Sequence, residues 1–434
     1  MTSRPAAERR LEAYLTGVFS IVAFLLPPLA VFAPLGVAPA TITCAVLVLA
    51  GLLWTRRRIA LPNRTIFLAL LALLAWSAIG LLWSISPANT VKTILQLAGI
   101  FASAAILLGG AALLTPGQAR RVAGVLAAGI VLALALYAVE WLFDSPIQRL
   151  FRTPYLEEDE AIYSPFNRGL VLLLLTTAPA VIALWRAGRR RLAAGLYAAV
   201  AVVAYAYYGS SVELALTCGF IVILLVMLTP RRVMPVLGAL FAACVLVAPV
   251  AVKFVATPDL VAWAGQRTNN FSAIHRLVIW EFATKRILEK PLTGWGLDTS
   301  RVMPGAKELV TITVKDTNSG KPNTPVERLP LHPHDMALQW WLELGLPGAV
   351  IAGFVIFSLF GLIARLPAQR IEKALLTAQA TMAIVIGALG YGIWQSWWMC
   401  TMVMACVLSA VALRSAAQDV PRQSSLPTPN SRET

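Results

Sequence analysis

Charge is scarce in this sequence. Asp, Glu, Lys and Arg make up 13% of its 434 residues, about half the ~25% of an ordinary soluble domain. A soluble chain of this length would bury a large core but would need a charged coat around it, so a soluble enzyme is excluded. Cysteine and histidine are scarce too, at five and three. Cys44, Cys218, Cys244, Cys400 and Cys406 all lie in apolar runs without C-x-x-C spacing, which excludes a disulfide scaffold and a cysteine-based metal centre as the organising principle. No H-E-x-x-H pattern and no Gly-rich phosphate loop occurs. What is abundant is hydrophobic residues, 58% of the chain, in continuous runs of about twenty. A transmembrane barrel would show short alternating segments instead. The chain reads as an all-α polytopic integral membrane protein.

Twelve spans are expected: 15–35, 37–54, 66–83, 91–114, a fifth that follows Arg120 and Arg121 and ends near Trp141, 165–185, two between Arg191 and Met227 broken at Gly209-Ser210-Ser211, then 234–252, 337–363, 375–392 and 397–413. The first is read as an uncleaved span and not a signal peptide, because it is long, holds Pro27 and Pro28 and lacks a small-residue exit site. Basic residues orient the set. With the N-terminus in the cytoplasm, 21 of the 36 basic residues fall inside against 5 of the 21 acidic ones, leaving 15 against 16 outside. The excess of positive charge is thus a topology signal, and nucleic acid is not implied as a partner. The organisation expected is 1–252 for spans one to nine, 253–335 for a large external loop, 336–413 for the last three spans and 414–434 for a disordered cytoplasmic tail.

The large loop carries the chemistry-bearing residues. All three histidines, His275, His332 and His334, lie in it. Apolar and charged residues alternate at helical spacing from Ala273 to Lys290, placing Arg276 and Trp280, four apart, on one face. Pro291 ends this helix, and Pro291-Leu292-Thr293-Gly294-Trp295-Gly296 makes a Gly-punctuated turn. Residues 297–331 show little periodicity and read as a mobile cover. His332-Pro333-His334-Asp335 then closes the loop directly before the tenth span. On pattern alone Arg276 is either a solvated face residue or an anion ligand, and the histidines are either surface groups or a base and its helper. Asp335 either caps the tenth span or orients His334. His275 is most simply a helix-surface residue, and no metal site is expected. At the outer start of the sixth span, Asn167 and Arg168 follow Phe166; Arg168 either snorkels or meets an anion. Glu213 lies near the outer end of the eighth span and invites an ion pair with Arg168. Trp394, Trp397 and Trp398 read as interface anchors around Gln395.

Arg276-x-x-x-Trp280, the Pro291–Gly296 turn, His332-Pro333-His334-Asp335 and Leu342-Glu343-Leu344-Gly345-Leu346-Pro347-Gly348, in this order around a large loop, resemble the O-antigen ligase and O-antigen polymerase superfamily. The resemblance is strongest over residues 260–361. The family usually has asparagine where this chain has Asp335, and a Ser-Arg pair where it has Ser210-Ser211-Val212-Glu213. The resemblance implies a GT-C-like, inverting, metal-independent glycosyltransferase of the bacterial inner membrane with no cofactor. It implies a periplasmic site that moves a glycan from undecaprenyl diphosphate to a lipid A-core or other sugar acceptor. In such a site His334 would act as general base and His332 as supporting donor. Arg276 would bind the donor diphosphate, with Arg168 the weaker candidate, and Asp335, Trp280, Glu213 and Asn167 would give support. A polymerase joining lipid-linked repeat units is the nearest alternative. A membrane transporter is the alternative of another class, but the spans hold little buried charge and the polar groups gather at the outer ends.

Overall fold

A computed structural model describes residues 6–59, 63–150, 158–206, 210–268, 270–313 and 323–415. The polar tail expected beyond residue 415 lies outside them. The chain folds into α1 (Ala6–Phe32), α2 (Val37–Trp54), α3 (Arg64–Ile79), α4 (Pro87–Ala111), α5 (Pro116–Leu142), a one-turn α6 (Pro146–Leu150), α7 (Glu158–Arg186), α8 (Arg190–Ala206), α9 (Ser210–Leu228), α10 (Pro230–Val255), α11 (Pro258–Gly265), α12 (Phe271–Glu289), α13 (Met336–Arg365), α14 (Arg370–Leu389) and α15 (Ser396–Arg414). Among the described residues, eleven helices are long and apolar enough to cross a membrane. The expected span missing from these eleven is the seventh, α8, whose 17 residues reach about 26 Å at 1.5 Å per residue. The protein is an all-α polytopic membrane protein.

Local chemistry sets where spans begin. Pro116 opens α5 behind a reciprocal cap, in which Thr115 Oγ1 accepts from Gln118 N at 3.3 Å and Gln118 Oε1 accepts from Thr115 N at 2.9 Å; two donors that α5 leaves unpaired are thereby satisfied. Pairs of spans lie along one another, α1 with α5, α9 with α14 and α10 with α13. Leucines 170 and 172–175 of α7 are all buried in the main core, so α7 is the central helix. Leu25, Leu53, Leu95 and Leu224 point outward, as a lipid-facing belt requires.

The end of the bundle opposite the large loop is held by one buried ion pair. Arg186 of α7 donates through Nη2 to Glu372 Oε2 at 2.7 Å, its Nε engages the other carboxylate oxygen, and Nη1 reaches the Leu413 carbonyl of α15. Glu372 also accepts from Gln369 N at 2.9 Å. Replacing either partner by alanine leaves the other charge buried alone, which costs about 3–5 kcal/mol. We expect R186A and E372A each to lower the thermal midpoint in detergent sharply and the double variant to be no worse than either single one; additive losses would show that the two act separately.

The large loop is more ordered than its sequence suggests. The expected amphipathic helix is α12. The supposed mobile cover contains β1 (Leu309–Thr313) and β2 (Asn323–Glu327), an antiparallel pair with Val310 opposite Val326 and Ile312 opposite Thr324. Ile312 and Val326 face Ile274 and Val278 of α12 in a small core of their own. Residues 314–322 lie outside the described set. Two short strands, one bearing Pro325, give too weak a period to read from sequence. Farther along α12, Ile279, Phe282 and Ile287 pack with Met303, Leu329 and Leu342, joining loop to bundle.

Candidate functional site

α13 is two helices joined at a kink, where Gly345 takes φ 63°, ψ −160°. Only glycine adopts that conformation without strain, and a Cβ there would come within 2.5 Å of the Leu292 carbonyl oxygen. The kink lets the Gly-punctuated turn run against α13 like a paired strand. Trp295 N donates to Leu342 O and Gly296 N to Glu343 O, both at 2.9 Å, and Leu346 N donates to Pro291 O at 2.9 Å. Trp76 and Trp83 hold the pairing from the other side, donating to Leu344 O and Thr293 O.

At the centre of this knot lies Glu343, fully buried. Its carboxylate accepts from Gln339 Nε2 at 3.0 Å, Trp394 Nε1 at 2.6 Å, Asp298 N at 2.5 Å and the Ser300 hydroxyl. Gln339 Oε1 in turn accepts from Ile393 N at 2.9 Å. Loop, α13 and the α14–α15 turn are thus locked together. The tryptophans of that turn are not interface anchors. Trp394, Trp397 and Trp398 are buried at 5%, 4% and 0% exposure, because Trp394 and Trp397 spend their N–H groups inside, the latter on Gln395 Oε1 at 2.9 Å.

The locked turn meets the histidine segment. Asp335 is the N-cap of α13, with Oδ1 accepting from Leu338 N at 3.0 Å. Burial pushes its carboxyl up to about 6, partly offset by the backbone N–H groups of Leu338 and Ala337. Its side chain therefore serves the helix end. His334 is oriented by something else: its Nδ1 lies 2.6 Å from the Gly390 carbonyl. A carbonyl only accepts, so Nδ1 carries the proton and Nε2 keeps its lone pair. His334 sits at φ 54°, and its N–H donates to His332 Nδ1 at 3.1 Å. That bond fixes the opposite tautomer in His332, with the proton on Nε2; the Gln395 amide nitrogen 3.4 Å away is itself a donor and does not accept it. The two rings stand 4.2 Å apart. Burial, then the neighbouring His334 and Arg301, push His332 down to about 3, so it stays neutral. Burial also lowers His334; the Gly390 bond opposes this, while Arg276 and His275 add to it.

α12 supplies the next wall. Trp280 Nε1 donates to the Pro333 carbonyl at 3.0 Å, tying α12 to the histidine segment. One turn earlier Arg276 is half-buried, and burial disfavours its charge. Its charge bears on both His334 and Tyr391, and that of Arg168 also bears on Tyr391. Sequence reasoning named Arg276, Arg168 and both histidines, and the structure brings them together around Tyr391. Neither guanidinium makes an ion pair or hydrogen bond among the described residues. Glu213, in the first turn of α9, makes no ion pair with Arg168 there either, and Asn167 Oδ1 is buried without a partner. His275 is not a free surface group: Nε2 donates to the Glu327 carbonyl at 2.9 Å and docks β2 on α12. Arg267 lies over the Trp263 ring, 4.5 Å from its centre.

On the His332 side a cavity of about 320 Å³ opens, lined by Lys92, Gln96, Asp298, Arg301, Gln395 and Trp397 among others. Arg301 pairs with Asp298 at 3.0 Å, and Thr93 donates to the same carboxylate at 2.9 Å. No group of three His, Cys, Asp or Glu side chains is placed to share a metal ion among the described residues. Sequence reasoning missed Tyr391, Gln339, Lys92 and the Gly390 carbonyl, and met Glu343 only as one letter of a motif. The available signal was the Gly390-Tyr391-Gly392 triplet, which interrupts an apolar run.

The arrangement offers unpaired cations, a neutral imidazole with an open nitrogen and an adjoining polar cavity. The family model described as O-antigen ligase matches residues 208–353, which hold α12, the large loop and the kink of α13. A Rickettsia felis protein named "Putative polysaccharide ligase" is 28% identical over 429 residues, covering 92% of this chain and 98% of that one. A Rickettsia conorii protein of similar name is 30% identical over 291 residues, 66% of each chain, so here the match spans just under two thirds of the relative. A third, from Rickettsia typhi, is 25% identical over 345 residues, 79% of this chain and 80% of its own. Motif order, membrane architecture and these similarities agree, and together they support the O-antigen ligase superfamily as the family of this chain.

Proposed function

We propose that the protein is a glycan ligase of the bacterial inner membrane. In this reading the large loop faces the periplasm and both termini face the cytoplasm. A glycan moves from undecaprenyl diphosphate to a sugar of the lipid A core. The observation that carries the reading is the pair of uncompensated guanidiniums, Arg276 and Arg168, within electrostatic reach of one site that also holds an imidazole with an open Nε2. A half-buried cation without a counter-ion carries part of the cost of desolvation, and a bound diphosphate offsets it, because the guanidinium fork matches its oxygens.

The chemistry follows from the tautomers. The acceptor hydroxyl approaches from the cavity beside His332 and Gln395. Its oxygen attacks the anomeric carbon as His334 Nε2 takes its proton. The bond from the anomeric carbon to the diphosphate oxygen breaks, and its electron pair stays on the leaving group. Arg276 and Arg168 stabilise that growing charge. Attack opposite the leaving group inverts the configuration. The leaving group carries its own activation, so the step draws on no cofactor. His332, neutral with Nε2–H, serves as a donor and holds the His334 backbone.

The test is the glycan profile of a strain lacking the gene. Loss of long glycan from the lipid A core, with full-length glycan retained on the lipid carrier, is the expected result. Cores bearing a single repeat would show a polymerase instead, and unchanged glycans with altered uptake would show a transporter.

A further inference from the structure

The turn Gly390-Tyr391-Gly392 touches both histidines. The Gly390 carbonyl accepts a hydrogen bond from His334 Nδ1–H, and a Cβ at Gly392 would come within 3.0 Å of the His332 ring. At Gly392 the missing Cβ lets the turn come this close. Between the two glycines stands Tyr391. Its ring meets Trp397 edge-on at 4.7 Å, with planes at 88°, and lies 6.0 Å from Trp398. The hydroxyl oxygen is buried, yet it has no hydrogen-bond partner among the described residues. Buried hydroxyls are rarely left so, and an exception calls for an explanation. Burial pushes the phenol pKa up, against the opposing pull of Arg168 and Arg276, so the group remains a neutral O–H donor at physiological pH.

We propose that Tyr391 is a binding and catalytic residue of this site: its hydroxyl donates a hydrogen bond to a leaving-group oxygen of the diphosphate held by Arg168 and Arg276. This rests on the reading of Arg276 and Arg168 as a diphosphate site. Three donors from three elements, α7, α12 and the α14–α15 turn, then surround one anion. Tyr391 keeps its proton throughout and stabilises charge without acting as an acid. The same peptide turn aims the His334 base, so donor placement and base orientation are coupled through two residues of backbone.

The experiment compares wild type, Y391F and R276A in proteoliposomes, with a lipid-linked glycan donor and a lipid A-core acceptor. It reads kcat/KM, inhibition by inorganic pyrophosphate and the thermal midpoint. Removal of a hydrogen bond to a charged group predicts a fall in kcat/KM of roughly 10- to 100-fold for Y391F, with weaker pyrophosphate inhibition. Its thermal midpoint should be unchanged or higher, because an unpaired buried hydroxyl has been deleted. Wild-type kcat/KM and pyrophosphate inhibition in Y391F, beside a large loss in R276A, would overturn the role of Tyr391 and leave the diphosphate site standing. Loss in neither variant would instead remove the diphosphate site itself. A fall in the Y391F midpoint with pyrophosphate inhibition intact would also overturn the proposal, since the hydroxyl would then be structural.

Discussion

Replacing His334 by alanine should lower glycan transfer by about 10²–10⁴-fold, the usual cost of losing a general base. Alanine is not the cleanest substitute, because His334 adopts φ 54° and a left-handed backbone disfavours alanine. Asparagine tolerates that region well, so H334N keeps the turn while removing the base, and both variants should fall together. The pH profile separates a base from a mere hydrogen-bond donor. A base works only when neutral, so the rate falls as pH drops through its pKa. Burial, Arg276 and His275 all lower the His334 pKa against the single opposing bond from Gly390. The acidic limb should therefore have its midpoint below the ordinary value of about 6.5, not at it as the sequence alone would suggest. Removing the Arg276 charge should move that midpoint upward. His332, already down to about 3, should contribute no limb in this range. Initial rates from pH 4 to 8 on purified protein read all of this. Wild-type transfer by H334N, or a limb unmoved in R276A, would take His334 out of the role of base.

The spans were legible because the hydrocarbon thickness dictates their length, and the charge sorting needs only the arginines. Arg276 and Trp280 were legible because a period of 3.6 places them on one face, and Asp335 because a helix start next to an apolar run invites a cap. The rest of the site depends on contacts between distant segments. Tyr391 lay inside what reads as a single apolar run to Gly392, whereas α14 ends at Leu389 and the next residues form the turn that orients His334. The three tryptophans after it looked like interface anchors. All three are buried, and the Trp394 N–H is taken by Glu343, 51 residues earlier. Nothing in the local sequence announces a partner at that distance. The hairpin escaped for the opposite reason: its five-residue strands are stabilised by Ile274 and Val278 of α12, not by their own pattern.

Arg276 gives the second large effect. R276A should reduce kcat/KM by at least the roughly 10- to 100-fold that corresponds to about 1.5–3 kcal/mol for one charge-assisted contact. R276K tests the geometry of that contact. Lysine keeps the charge but presents a point and not a planar fork, so it should recover only part of the loss. Arg168, in the N-terminal half of α7, should show the same pattern with smaller amplitude. Stability should move the other way. Arg276 is half-buried with no counter-ion among the described residues, and burial already disfavours its charge. Deleting it removes a desolvation cost and breaks no ion pair, so the thermal midpoint of R276A should hold or rise. Inorganic pyrophosphate should raise the midpoint of the wild type, since a ligand bound to the folded state alone stabilises it, and this increment should vanish in R276A. A structural arginine would give the reverse result, a lower midpoint with the pyrophosphate increment retained. Wild-type transfer by both R276A and R276K would leave Arg276 a helix-face residue with no part in the chemistry.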